Sequence, residues 1–334
     1  GVIGVPDFAT FAKVGVDTAG GYTLDRGYLQ TADISIPNNA TWTPIGPTEA
    51  AKFTGIYDGG NKTILAQNIN YTISGNVYPT GDISAAALFG CVYGTVQNVT
   101  VSGLSYTATN LSRNQEVAPL VAFLGKGAKL VNAHSKNCTI NMGAYTGYLS
   151  MGGLVAEIYA GTLDGCSSDK VTLIGGTTGT GVNAFIGGMY GSMDTCTVRN
   201  STANADITLA AVNSGQIFVG GFGGAGNSTN GAWLFENCSA AGTITANVAL
   251  NGANAQGIAG FAASLWMPSA SPVSIRNCST TTKITSSIVD GQPANVLCGG
   301  FIGNNALASL TGNAYVNNTY TADCKYLNKV GANS

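Results

Sequence analysis

Three carboxylates recur at one fixed place in the chain. Asp164, Asp194 and Glu236 each stand two residues before a cysteine, at Cys166, Cys196 and Cys238. Lys136 and Arg276 hold the same place before Cys138 and Cys278. If these segments stack, the three acids form one consecutive column between two cations. Carboxylates on neighbouring strands can coordinate Ca²⁺ or serve as acid and base in glycoside hydrolysis. A plainer arrangement is a solvated face balanced by Lys136 and Arg276. A lyase would also place a cation beside its acids, and here the cations stand at the far ends. The expectation is therefore a chain without a catalytic residue, with Asp164, Asp194 and Glu236 as the candidates if it is an enzyme.

The other reactive side chains point the same way. The chain has eight cysteines, and Cys138, Cys166, Cys196, Cys238 and Cys278 read as one equivalent repeat position. No C-x-x-C spacing supports a zinc knuckle, so no metal is expected. A column of small apolar thiols inside a coil is a simpler arrangement than a disulfide framework, because cross-linking chains already held by backbone pairing gains little. His134 is the only histidine, which excludes a His-x-x-x-His zinc site and leaves a Ser-His triad without support. Gly221-Phe222-Gly223-Gly224-Ala225-Gly226 has the outline of a dinucleotide turn but opens no helix, and no cofactor is expected. Two tryptophans, Trp233 and Trp266, fall in the longer segments between repeat signatures, the second within Leu265-Trp266-Met267-Pro268. On neighbouring loops, Trp233, Trp266 and Met267 could offer a flat platform to sugar rings or to an apolar partner surface; equally, they could fold back to seal an edge.

These candidates need elements to carry them, and a repeat supplies them. Gly152-Gly153-Leu154-Val155 returns as Gly187-Gly188-Met189-Tyr190, Gly220-Gly221-Phe222-Gly223, Ala259-Gly260-Phe261-Ala262 and Gly299-Gly300-Phe301-Ile302. Weaker copies at Ala86-Ala87-Leu88-Phe89 and Ala118-Pro119-Leu120-Val121 extend the series at steps of 32 to 40 residues. Each unit adds a strand before its Asn-Cys or Asp-x-Cys turn and a third strand such as Val171-Thr172-Leu173 or Ile207-Thr208-Leu209. Three short strands per unit form one coil of a stacked solenoid. The apolar residues at 154, 189, 222, 261 and 301 are expected to form one inward column. The Gly pairs suit a tight corner, where absence of Cβ permits positive φ and close backbone approach. Asn237 and Asn277 suit a second corner, since Asn tolerates the left-handed region and stacked amides can bond one another. Residues 1–24 break the pattern: Pro6 and Asp7 ahead of Phe8, Phe11, Ala12 and Val14 predict a short cap helix over the first coil.

The entry to the repeat carries a resemblance. Leu29-Gln30-Thr31-Ala32-Asp33-Ile34, then Trp42-Thr43-Pro44-Ile45-Gly46, then the run from Phe53-Thr54-Gly55-Ile56 to Asn61-Lys62-Thr63-Ile64, resemble the entry coils of bacterial surface proteins that carry GLUG repeats. Such repeats occur beside immunoglobulin A-cleaving metallopeptidases and in adhesin-like proteins. The resemblance implies a parallel β-helix over about residues 22 to 321 and an exported or cell-surface setting. The peptidase activity does not carry over, because the zinc motif is missing.

Composition narrows the partners. Charged residues make up 9% of the chain and the formal net charge is -2, so no basic stripe is present to neutralise phosphates, and nucleic acid is excluded as an expected partner. No apolar run has the length of a spanning helix. The chain starts at Gly1 without an initiator Met, which reads as a trimmed chain whose leader is not present. The combined expectation is an all-β, single-stranded right-handed parallel β-helix in one continuous domain, residues 25–334, behind a cap at 1–24. Its expected role is non-catalytic binding of a glycan or a surface protein by a secreted, adhesin-like bacterial protein. A polysaccharide hydrolase or lyase and a structural spacer are the alternatives. One consequence is measurable: thiol titration of the denatured protein should find its eight cysteines reduced, whereas two or fewer free thiols would establish a disulfide framework.

Overall fold

In the computed structural model the described residues are 1–73, 75–78, 82–109, 113–177, 182–212, 215–227, 231–246, 256–265, 273–286, 296–304 and 315–320. They form a parallel β-solenoid. Every strand pairing among them is parallel and joins one coil to the next. One side of the solenoid is a seven-stranded sheet built from Ser84–Ala86, Gln115–Val117, Leu149–Gly152, Ala184–Gly187, Ile217–Gly220, Gln256–Ala259 and Val296–Gly299. The chain then turns a corner into a second side, which begins at Phe89–Val92 and Val121–Leu124 and continues in long bent strands such as Val155–Asp164 and Tyr190–Arg199.

The corner is the Gly-Gly element, and close approach is what demands it. A Cβ on Gly153 would lie 1.9 Å from the Gly188 carbonyl oxygen, and one on Gly188 would lie 2.1 Å from that of Gly221. Positive φ is not involved, since none of these glycines is in the left-handed region. The apolar column predicted after the corner is present. Leu154, Met189, Phe222, Phe261 and Phe301 are wholly buried, and each accepts, through its carbonyl, an amide from the coil before. Phe222 stacks on Phe261 at 4.8 Å and 8°, and Phe261 on Phe301 at 4.7 Å and 3°. Burying each ring stabilises the core by about 1.5–3 kcal/mol.

The opposite corner is an asparagine ladder. Asn61, Asn98, Asn132, Asn200, Asn237, Asn277 and Asn317 all have φ between 46° and 57°, and Gly165, at φ 65°, fills the one coil without Asn. Asn132 Nδ2 donates to Asn98 Oδ1 at 2.9 Å, Asn237 to Asn200 at 3.2 Å and Asn317 to Asn277 at 3.3 Å. Next to the glycine there is no amide to receive the bond, and Asn200 donates instead to Asp164 Oδ1 at 3.0 Å.

The N-terminal lid forms as the sequence predicts. A single helical turn, Phe8–Phe11, is capped by Asp7, whose carboxylate accepts from the Thr10 amide. Phe11 lies flat on Trp42 at 5.0 Å and meets Tyr57 and Phe89 edge-on. A strand precedes the helix: Ile3–Val5 pairs with Tyr28–Gln30, so residues 1–24 also extend the sheet by one rung.

The ladder generates a stability prediction. Asn237→Ala removes a bond and places a β-carbon residue with no compensating side-chain bond at φ 55°, and should cost about 1–2 kcal/mol in denaturant unfolding, whereas Asn237→Gly should cost less than half of that.

Candidate functional site

The two sides that meet at the Gly-Gly corner enclose a groove on the outer surface. In the seven-stranded sheet the core-facing residues are Gln115 and Val117, Leu149 and Met151, Ala184 and Ile186. The residues between them, Glu116, Ser150, Phe185 and Phe218, stack in register and point away from the core. On the second side the column facing them is Cys91, Phe123, Glu157, Ser192 and Ala225. The two columns approach because small residues let the backbones touch: a Cβ on Gly191 would lie 2.5 Å from the Met151 nitrogen, and one on Gly224 would lie 2.7 Å from the Ile186 nitrogen. Ser150 Oγ bridges the groove, donating to the Ala156 carbonyl and lying 2.8 Å from Ser192 Oγ.

Along the solenoid axis the groove changes character. In the earlier coils it is filled by a satellite apolar cluster of Val77, Ala85, Cys91 and Phe123 with Tyr78, Tyr93 and Tyr159 against it; Tyr159 stacks on Phe123 at 5.8 Å. Next come two glutamates, Glu116 wholly buried and Glu157 6% exposed. Beyond them the groove opens into a cavity of about 690 Å³. Its walls carry Tyr148, Phe185 and Phe218 on one side and Glu157, Ser192 and Asp194 on the other, with Gln216 and Asn227 at its rim. Phe185 stacks on Phe218 at 5.8 Å and 27°, and Tyr148 meets Phe185 edge-on at 5.7 Å. Among the described residues no Lys, Arg or His lines the cavity.

Electrostatics follow from that enclosure. Burial, then the neighbouring Glu157 carboxyl, hold Glu116 well above the usual carboxylate range. Its oxygens lie outside strict hydrogen-bonding geometry with any group, yet near enough to Glu157 for the two carboxyls to act on each other, and a proton shared between them relieves the repulsion. Glu157 is also raised, first by burial and then by the charge of Asp194, while contact with Glu116 and Ser192 pulls it partly back. Burial and both glutamates push the Tyr148 phenol well above its usual range.

The residues singled out from the sequence separate. Asp164 and Glu236 share a column with Arg199 and Arg276, in the order Asp164, Arg199, Glu236, Arg276. The charges alternate, with Arg199 Nε 3.7 Å from Glu236 Oε1 on the surface. Asp194 is elsewhere, paired with Tyr159 and Asn227 in the groove, and Lys136 pairs with Asp169. The counterpart of Leu163-Asp164-Gly165-Cys166 is thus Val198-Arg199-Asn200-Ser201, not Met193-Asp194-Thr195-Cys196. Two left-handed bends occur in this part of the coil, one at Ala160 and Thr195 and one at Gly165 and Asn200, and a cysteine follows the first in one coil and the second in another. The expected five-membered cysteine column accordingly has three members, Cys166, Cys238 and Cys278, with Ser201 in the intervening coil, while Cys138 follows a further bend at Asn137 and lies beside Val171. Cys91, Cys138, Cys166, Cys196, Cys238 and Cys278 are free and buried, and Cys298 is buried as well.

Trp233 is 1% exposed and edge-on to Phe235 inside the core, so it presents no platform. Trp266 and Met267 lie outside the described residues. His134 is held between Ser167 and Asn132 and is lowered by burial and by Lys136. Among the described residues no cluster of His, Cys, Asp and Glu could hold a metal ion. The sequence did signal Glu116 and Glu157: each is a lone acid beside a corner, Glu157 within the apolar Val155-Ala156-Glu157-Ile158 and Glu116 between Gln115 and the apolar run that starts at Val117. A charge placed where an apolar residue would serve the fold is the pattern that marks them.

No family model matches the chain, and no curated protein does. Among solved structures it is similar to the crystal structure of a putative immunoglobulin A1 protease from Bacteroides ovatus, with a TM-score of 0.59 and 15% identity over 91% of this chain and 84% of that one. At that identity the likeness is one of fold. It places this chain among parallel β-solenoids.

The buried acid pair yields a prediction with a defined sign. A glutamate raised on folding contributes stability that is complete below its ordinary value of 4.5 and is lost as pH rises through the folded value. Glu116→Gln should therefore melt a few degrees above the native protein near pH 8 and lose that advantage toward pH 4; equal melting curves at both pH values would show that the pair carries no linkage.

Proposed function

We propose that the groove binds an uncharged or amino-bearing glycan chain, and that the protein is an exported, surface-associated binding protein of adhesin type. The observation that carries this reading is the cavity beside the acid pair: an aromatic wall of Tyr148, Phe185 and Phe218 faces a polar wall of Ser192 and Asp194, with Gln216 and Asn227 at the rim. Apolar faces of sugar rings stack on aromatic side chains while their hydroxyls need fixed polar partners, and a cleft with one wall of each kind meets both demands. Its charge selects among glycans. Two carboxyls and, among the described residues, no cation disfavour polyuronates and sulfated chains, whose own charges would be left uncompensated, and the same lining disfavours a lyase acting on them. A spacer gives no reason for buried acids beside an open cavity. The surface setting rests on the GLUG resemblance and on a composition poor in charge and rich in Gly.

Calorimetric titration against a panel of neutral, amino and acidic oligosaccharides tests the reading. Neutral or amino chains should bind, and Phe185→Ala with Phe218→Ala should weaken them at least tenfold, about 1.4 kcal/mol, at an unchanged fold. Binding confined to acidic chains, or to a protein surface insensitive to both substitutions, would overturn it.

A further inference from the structure

The placement of the acids goes further than binding. Glu157 and Asp194 sit on adjacent coils, both on the groove face of the second side, and both line the cavity. Ser192 is directly opposite Glu157, and Asp194 is two residues beyond Ser192. One strand spacing of about 4.8 Å combined with two residues of rise sets their backbones about 8 Å apart. Side chains leaving the same face in parallel keep their carboxyls at a separation of that order, within the range of about 6.5–9.5 Å at which one acid can protonate a glycosidic oxygen while the other directs a water. Glu116 lies behind Glu157, buried and without any polar group but that carboxyl to satisfy it.

We propose that the groove hydrolyses the glycan it holds by an inverting mechanism, with Glu157 as general acid and Asp194 as general base. The inference rests on the glycan-binding reading. In the reaction Glu157 gives its proton to the glycosidic oxygen, and the bond from the anomeric carbon to that oxygen breaks, its electron pair staying on oxygen. A water on the opposite face of the ring forms the new bond to the anomeric carbon as Asp194 takes its proton. The products are an alcohol and a hemiacetal of inverted configuration. The proton on Asp194 leaves to solvent and solvent restores the one on Glu157, so water is the one co-reactant consumed. Burial outweighs the contacts with Glu116 and Ser192 and, together with the charge of Asp194, favours the protonated form of Glu157, and two carboxyls in unequal surroundings divide acid from base.

The experiment measures new reducing ends, and the anomer first formed, by NMR, on the neutral and amino glycans that bind. The native protein should release reducing ends with inversion. Glu157→Gln and Asp194→Asn, both near-isosteric, should lower turnover about 100-fold or more while calorimetric affinity stays within about threefold. A protein that binds glycan but releases no more reducing ends than Asp194→Asn overturns hydrolysis and leaves binding standing. Unsaturated products, or retention of configuration, overturn the assignment of roles. Absence of glycan binding overturns both readings.

Discussion

The structure depends on how closely successive backbones can approach at one corner. Where Gly153, Gly188, Gly221 and Gly260 follow one another, each would drive a β-carbon to within 2.2 Å of the next coil's carbonyl oxygen if it had one. Removing that atom lets each coil lie in register on its neighbour, and the register then fixes everything stacked upon it. The phenylalanine column inside, the amide ladder at the far corner and the two columns of the groove are all products of one repeated contact. A slip of one residue would reverse inside and outside along every strand at once.

The same corner explains why buried acids can exist here at all. The groove is formed by two sheet faces that fold toward each other outside the core, so its floor is shielded from water without being part of the packed interior. Apolar side chains fill the shielded space in the earlier coils, and carboxyls and then open volume take it over in the later ones. Core and groove are thus separate low-dielectric spaces, one selected for packing and the other free to vary from coil to coil.

Much of the fold could be read from the sequence because repetition amplifies weak signals. One Gly-Gly pair means little, but four of them, with Ala259-Gly260 in the same series, at steps of 33 to 40 residues specify a corner, and the column at Leu154, Met189, Phe222, Phe261 and Phe301 follows from it. Asn237 and Asn277 were legible for the same reason. The cysteine signature misled because a thiol fits any shielded inward position: Cys196 follows the bend at Thr195, not the asparagine corner, and took Asp194 with it into an apparent column that the backbone does not make. Trp233 misled because a large aromatic in a longer segment reads as exposed when the strand alternation that buries it is only four residues long. The groove acids were missed because a site formed across coils draws one residue from each, and no segment of sequence contains two of them together.

That last property has a consequence for how such a molecule can change. Each coil contributes one position to each wall of the groove, so the cleft is laid out like the graduations of a ruler, one mark per coil at about 4.8 Å. Insertion or loss of a whole coil would lengthen or shorten the cleft by a single mark and leave the others as they were. Substitution at Phe185 or Phe218 would rewrite one mark without touching the register that holds it. The span of ligand accepted and the chemistry met at each point along it are therefore set by different parts of the chain, and can diverge independently.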